Sequence, residues 1–241
     1  MLNPNLDLNE LATEFARDQR VRVPGILEPG IAERIAEHCE HHVPYEYLYH
    51  VDGENRTSSA EEMKTMDGND QQVLQSKLVD AAAEGVGFLY CGYMMGRALQ
   101  DADDENIRFL HSVFEYLNGD EMLTFVDDIT GRDDIKSADG QFTRYVSGQY
   151  LTRHLDDVTS EGRRLAYVFS FCREWHPDWG GLLQFYESDG TPRDAWCPGF
   201  NTLSLFDVRH VHSVTYVTPF AKRPRHSLAG WFRSIDGGFA A

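Results

Sequence analysis

Two imidazoles and one carboxylate on a common face leave three coordination positions open, an arrangement suited to a non-haem Fe(II) that must also bind a co-substrate and dioxygen. In many such sites the first two ligands form a His-x-Asp tripeptide on or just after a strand, where side chains two apart point the same way. The chain has ten histidines and many aspartates, so chance alone supplies about one such tripeptide. Three are present: His50-Val51-Asp52, His154-Leu155-Asp156 and His176-Pro177-Asp178.

Context separates them. His50 falls in a helical half and leads into a polar stretch, which suits a surface residue. His176 is followed by Pro177, which cannot donate to a regular ladder, and sits among turn residues. His154-Leu155-Asp156 follows Tyr145-Val146-Ser147-Gly148-Gln149-Tyr150-Leu151 in a strand-rich half, with further strands downstream from which a third ligand can return. Strand alternation turns the neighbouring Asp157 away. Among the later histidines, His210 and His212 share strand parity, so the pattern alone leaves both open as third ligand. Arg225 lies thirteen residues beyond His212, on what should be the next strand. A guanidinium there can hold a dicarboxylate through a bidentate fork, a geometry lysine does not match.

The elements that must carry these residues change character midway. Leu8, Leu11, Ala12 and Phe15 repeat with helical spacing. Val21-Arg22-Val23 reads as a short strand ended by Pro24-Gly25, and Pro29 suits the first turn of a helix through Ile31, Ile35 and Cys39. Asp52 to Asp70 reads as a polar loop broken by Gly53 and Gly68, and the stretch from Tyr45 to Asp70 is a candidate lid. Leu110, Val113, Phe114 and Leu117 form another helical face stopped by Asn118-Gly119, and a further helix runs from about 121 to 129, ending at Gly131. From Gln141 the pattern becomes short strands: 142–146, 164–171, 182–186, 202–206, 211–217 and 227–232. The expectation is a single α+β domain over 1–241, with a mostly helical supporting part over 1–140 and a β-sandwich or barrel core over 141–236.

Composition narrows the function classes. A net charge of −17 repels a phosphate backbone, so nucleic acid is not expected as a partner, while a cationic protein is compatible with it. The N-terminus lacks a basic and an apolar signal region, and no apolar run approaches a bilayer span, so no secretion and no membrane association are expected. Four widely spaced cysteines, Cys39, Cys91, Cys172 and Cys197, fit reduced thiols in the cytoplasm.

Several ordered motifs between 141 and 233 resemble one family. They are Tyr145 with Tyr150-Leu151 before His154-Leu155-Asp156-Asp157, then Arg163-Arg164-Leu165-Ala166-Tyr167, Gly180-Gly181-Leu182-Leu183, and Pro198 with Asn201 and Leu203. Phe206, His212-Ser213-Val214 and Arg225-His226-Ser227-Leu228-Ala229-Gly230-Trp231-Phe232 complete the set. In this order they resemble the prolyl-hydroxylase branch of the iron/2-oxoglutarate oxygenases, particularly the catalytic domain of the eukaryotic ribosomal prolyl hydroxylases. The resemblance implies a double-stranded β-helix (jelly-roll) core backed by the N-terminal helices. It implies His154, Asp156 and His212 as iron ligands, Arg225 as the partner of the distal carboxylate of 2-oxoglutarate, and Tyr145 as a hydrogen-bonding group in that pocket. Fe(II), 2-oxoglutarate and O2 are the implied cofactor and co-substrates, with ascorbate as an accessory. The implied substrate is a prolyl residue of a protein or peptide, with a basic ribosomal protein among the candidates. Trp231 is expected in the core or packed on the substrate ring; Tyr150 and Tyr167 read as core aromatics, Cys172 and Cys197 as buried thiols. Ser170 departs from the tyrosine that relatives often carry, and the second β-helix domain of the eukaryotic relatives is expected to be missing. Two other readings stay in view. The same core could hydroxylate a free amino acid or small metabolite, or it could be a metal-binding sensor without turnover, for which Arg225 would have no use.

Overall fold

Side-chain alternation in the last strand shows how the sheet divides inside from outside. The computed structural model describes residues 1–95 and 104–235, so the expected core boundary at 236 lies outside the described residues. Thirteen strands are present among them, in one sheet whose pairings are all antiparallel. They are β1 (Arg20–Pro24), β2 (Glu46–Val51), β3 (Glu54–Ser58), β4 (Phe88–Met94), β5 (Ser137–Ala138), β6 (Gln141–Tyr145), β7 (Tyr150–His154), β8 (Arg163–Phe171), β9 (Leu183–Tyr186), β10 (Pro192–Trp196), β11 (Phe200–Asp207), β12 (His212–Val214) and β13 (Arg225–Arg233). Their order is β1-β11-β8-β13-β6-β4-β7-β12-β9-β10, with the β2–β3 hairpin attached to β4 and β5 to β13.

Leu228 and Phe232 on β13, with Leu165, Tyr167 and Phe169 on β8, join the large core against the helices. The intervening residues Ala166 and Val168, with Trp231, turn the other way and meet Leu183 and Phe185 of β9 and Phe206 of β11. Strands distant along the sheet path therefore touch face to face, and the sheet curls on itself into the jelly-roll of the expected α+β class. Each fully buried phenylalanine in these layers contributes about 1.5–3 kcal/mol of hydrophobic stabilisation.

The helices are α1 (Leu8–Asp18), α2 (Pro29–His41), α3 (Ala60–Thr65), α4 (Gly68–Ala83), α5 (Glu105–Leu117) and α6 (Asp120–Thr130). Asp7 caps α1 through the Glu10 amide, Pro29 opens α2, Asp104 caps α5, and Gly131 ends α6 in the left-handed region at φ 68°. The apolar faces of α1, α2, α5 and α6, including Phe15, Ile35, Leu110 and Ile129, cover the outer side of the sheet.

The supporting half is less helical than its composition suggests. Asp52 to Asp70, expected as a loop, contains β3, the capping box of α3 (Ser59 with Glu62) and the start of α4, capped by Asp67. Local polar capping chemistry holds this stretch, whose exposed surface gives no hydrophobic period to read. β4 runs through the middle of the sheet, between β6 and β7. β7 and β10 were also not anticipated.

The two ends of the sheet path are tied by side chains. Arg20 of β1 makes a two-pronged pair with Asp194 of β10, at 2.6 and 2.9 Å, and bonds Asp18 at 2.5 Å. Its guanidinium lies 4.5 Å over the Phe185 ring and 5.3 Å over Trp196.

Candidate metal centre

β6 and β7 are joined by Ser147-Gly148, with Gly148 at φ 89°, a conformation that glycine adopts without a Cβ penalty. This turn returns the chain along the sheet so that β7 ends at His154, with Asp156 two residues further on. β12 pairs with β7 with His212 directly opposite His154. One ligand atom from each of His154, Asp156 and His212 lies within 4.8 Å of the others. His154 Nε2 is 3.5 Å from Asp156 Oδ1, and His212 Nε2 is 3.3 Å from Asp156 Oδ2. Asp156 and His212 are buried; His154 retains 29% of its exposure and opens the site to solvent.

Backbone carbonyls set the imidazole tautomers. His154 Nδ1 donates to Thr152 O at 2.9 Å, and His212 Nδ1 donates to His210 O at 3.0 Å. A carbonyl can only accept, so each Nδ1 carries the proton and each Nε2 offers a lone pair to the common centre. Burial works against ionisation of Asp156, but its hydrogen bond to His154 and the charges of His212 and His154 outweigh it, holding the carboxyl at about 2. Burial, and then the charge of His154, pushes His212 down to about 4. Burial would also lower His154, yet the hydrogen bond and charge of Asp156 raise it. An ionised Asp156 beside a neutral His212 is the form a divalent cation requires.

His210, left open by strand parity, is turned elsewhere: its Nε2 is 3.0 Å from Asp18 O. His50 sits on β2 against Asn55, 2.8 Å away, and His176 accepts from the Asp178 amide at the start of a short turn. Asp157 is exposed. None of these four belongs to the cluster.

Arg225 opens β13 opposite Tyr145 on β6. It is buried at 3% exposure, donates from Nη1 to Ser227 Oγ at 3.2 Å, and lies 5.2 Å over the Tyr145 ring. Its Nε has no hydrogen-bond partner, and among the described residues no carboxylate pairs with it. A buried cation without an anion is costly, so the donor set around it fits a dicarboxylate. Ser170 Oγ, buried and also without a partner, lies on the adjoining strand opposite Ser227, which in turn is 2.7 Å from Thr143 Oγ1. Val217, Trp175, Cys172 and Tyr145 form the apolar walls, with Cys197 packed at the edge and only partly buried. Gly181, at φ 63°, leaves the room that a Cβ would take from Arg225 and Trp175. Burial, and then Tyr90, drives the Tyr145 hydroxyl well above the usual tyrosine range, so it stays protonated.

Two contributors were not read from the sequence. Tyr90 on β4 stacks on Tyr145, with ring centroids 5.2 Å apart; its strand lies in the half expected to be helical, so nothing pointed to it. Arg163 stacks on Trp231 at 3.5 Å; its place in the Arg-Arg-Leu-Ala-Tyr motif was the available signal.

Fold and site together define a jelly-roll protein with a two-histidine, one-carboxylate cluster and a buried arginine in the adjoining pocket. Residues 140–233 match the 2OG-Fe(II) oxygenase superfamily. Over 142 residues the chain is 29% identical to the mouse (Mus musculus) prolyl 3-hydroxylase OGFOD1, a match covering 55% of this chain and 26% of that protein. Among solved structures, a Pseudomonas putida prolyl-4-hydroxylase aligns over 96% of this chain and all of its own, with TM-score 0.61 and 16% identity. A Trichoplax adhaerens prolyl hydroxylase, solved with a peptide fragment of the hypoxia inducible factor oxygen degradation domain, aligns over 94% of this chain and 89% of its own, with TM-score 0.61 and 15% identity. At these identities the two structures establish the fold. Among the described residues no helix is long and apolar enough to cross a membrane.

Proposed function

We propose that the chain is an Fe(II)/2-oxoglutarate-dependent dioxygenase that hydroxylates a prolyl residue within a protein, with His154, Asp156 and His212 as metal ligands and Arg225 as the co-substrate anchor. The observation that carries this reading is the pairing of two features: a buried cluster with both Nε2 atoms presented inward, and a buried Arg225 lacking an anion. Fe(II), when bound, couples oxidation of 2-oxoglutarate by O2, yielding succinate and carbon dioxide, to insertion of one oxygen atom into a substrate C–H bond. The chain's part is to hold and exclude. Arg225 and Ser227 bind the distal carboxylate, Ser170 adds a hydroxyl beside them, Tyr145 and Val217 keep water out, and the backbone carbonyls of Thr152 and His210 fix the imidazoles. Ascorbate is an accessory reductant for iron.

A protein substrate is favoured over a free amino acid because two of the nearby cations are already engaged. Arg163, whose charge reaches His154, is held by Glu161 at 2.7 Å, and Arg223 by Glu174 at 3.0 Å. A buried free carboxylate would need one of them. The mouse relative, a prolyl 3-hydroxylase, points the same way. The charge of −17 favours a basic partner, a ribosomal protein being one such, and four free cysteines favour the cytoplasm. The deciding experiment incubates the enzyme with Fe(II), 2-oxoglutarate and, in parallel, free L-proline, a proline-containing basic peptide and cell-extract proteins. Mass spectrometry should find one added oxygen on protein-bound proline. Hydroxylation of free proline alone would overturn the substrate assignment.

A further inference from the structure

We propose that Trp231 is a positioning residue for the metal centre, its indole N–H acting as the donor that orients the Asp156 carboxylate. The inference rests on reading His154, Asp156 and His212 as the metal site. Trp231 lies on the inner face of β13, opposite Ala166 of β8, and packs with Phe185 and Phe206. Phe206 also meets His212 edge-on, with centroids 4.8 Å apart, so the indole and the third ligand share one wall. The ring has little freedom. Arg163 stacks on it at 3.5 Å and is itself held by Glu161, while the Trp231 amide donates to Asp139 Oδ1 at 2.8 Å.

Despite this fixed setting, Nε1 is buried without a partner in hydrogen-bond geometry. The carboxylate on which the Trp231 side chain bears is that of Asp156, beside the two histidines, and Phe206 joins the indole to His212 on the same wall. A buried indole N–H left unmade is costly, and a small rotation of the carboxylate would satisfy it. Both Asp156 oxygens lie near imidazoles, Oδ1 at 3.5 Å from His154 Nε2 and Oδ2 at 3.3 Å from His212 Nε2. His154, His212 and Asp156 would hold a divalent cation, and the indole N–H of Trp231 would fix the orientation of the carboxylate that serves it.

The test uses Co(II) as a probe, with affinity and visible absorption recorded without substrate. Trp231→Phe keeps the stack on Arg163 and removes the donor. Loss of a group supporting a metal ligand typically lowers metal affinity about 10–100-fold; a loss in that range with an altered Co(II) band is the expected result, and Trp231→His should recover part of it. Unchanged Co(II) affinity and spectrum in Trp231→Phe, with a raised substrate KM, would make Trp231 a substrate contact and overturn the proposal. His212→Ala is the control for the underlying reading: if it too bound Co(II) normally, the cluster itself would be misassigned. Should Trp231→Phe misfold by circular dichroism, replacing Trp231 with benzothienylalanine, which exchanges N–H for sulfur at constant shape, decides between the same outcomes.

Discussion

The contrast between His210 and His212 shows how two residues with the same strand parity part company. His212 gives its Nε2 to the cluster, while His210 spends its own on Asp18 O. Accordingly, His154→Ala or His212→Ala should reduce succinate formation at least about 100-fold, whereas His210→Ala should retain most of it; equal losses from both positions would reassign the third ligand. For Arg225→Ala, truncating a buried charge-assisted pair costs about 2–5 kcal/mol, so the 2-oxoglutarate KM should rise roughly thirtyfold or more with Co(II) binding intact. His226, one residue on, faces the other side of the sheet. Burial, then the charges of Arg144 and His41, lowers it to about 4. Its unfolded value is near 6.5, so the unfolded chain binds more protons between these values. Stability is then fully present above about 6.5 and lost as pH falls toward 4. Between pH 7 and 5 this amounts to about 2 kcal/mol, and denaturant titration of His226→Phe should show a pH dependence reduced by that amount.

At the scale of elements, β9 and the turn before it are demanding. A Cβ on Gly180 would collide with the backbone oxygen of Tyr216, and Gly180 has φ 69°; Gly53, at φ 76°, has open space around it. Gly53→Ala should cost about 1–2 kcal/mol from the left-handed backbone alone, and Gly180→Ala distinctly more, read as a larger fall in melting temperature. The strands from β6 onward were legible because alternation and turn residues coincide there: Arg225 to Phe232 reads as a half-buried strand even without neighbours. The helices were legible from Leu8 to Phe15 and Leu110 to Leu117 for the same reason at a different period. β4 was not. Cys91-Gly92-Tyr93 is covered on both sides, so its residues show no alternation. Hence Tyr90, which completes the aromatic wall beside Arg225, was invisible, while the three residues of the cluster and Arg225 could be named from motif order. Ser227 and Ser170 are ordinary strand serines until the pairing in space is known.

For the whole molecule, an anion that satisfies Arg225 should stabilise the fold. Saturating 2-oxoglutarate at about 100 times its Kd adds about 2.7 kcal/mol, which for a chain of this size raises the melting temperature by roughly 5–10 °C. Differential scanning fluorimetry should show that rise with Mn(II) present and none in Arg225→Ala. The curled sheet that houses the pocket remains open in backbone terms: among the described residues β1 bonds only β11, and β10 only β9.

The Arg20–Asp194 clasp therefore does more than add a surface ion pair. Strands at the ends of a sheet carry unused amide and carbonyl groups that another chain can dock against, and here the two ends are drawn toward each other by a guanidinium pinned over Phe185 and Trp196. Severing that clasp would leave the His154, Asp156 and His212 cluster in place and expose two adhesive borders. The signature of Arg20→Ala would then be colloidal: slow, concentration-dependent growth in light scattering from a preparation that still turns over when freshly purified.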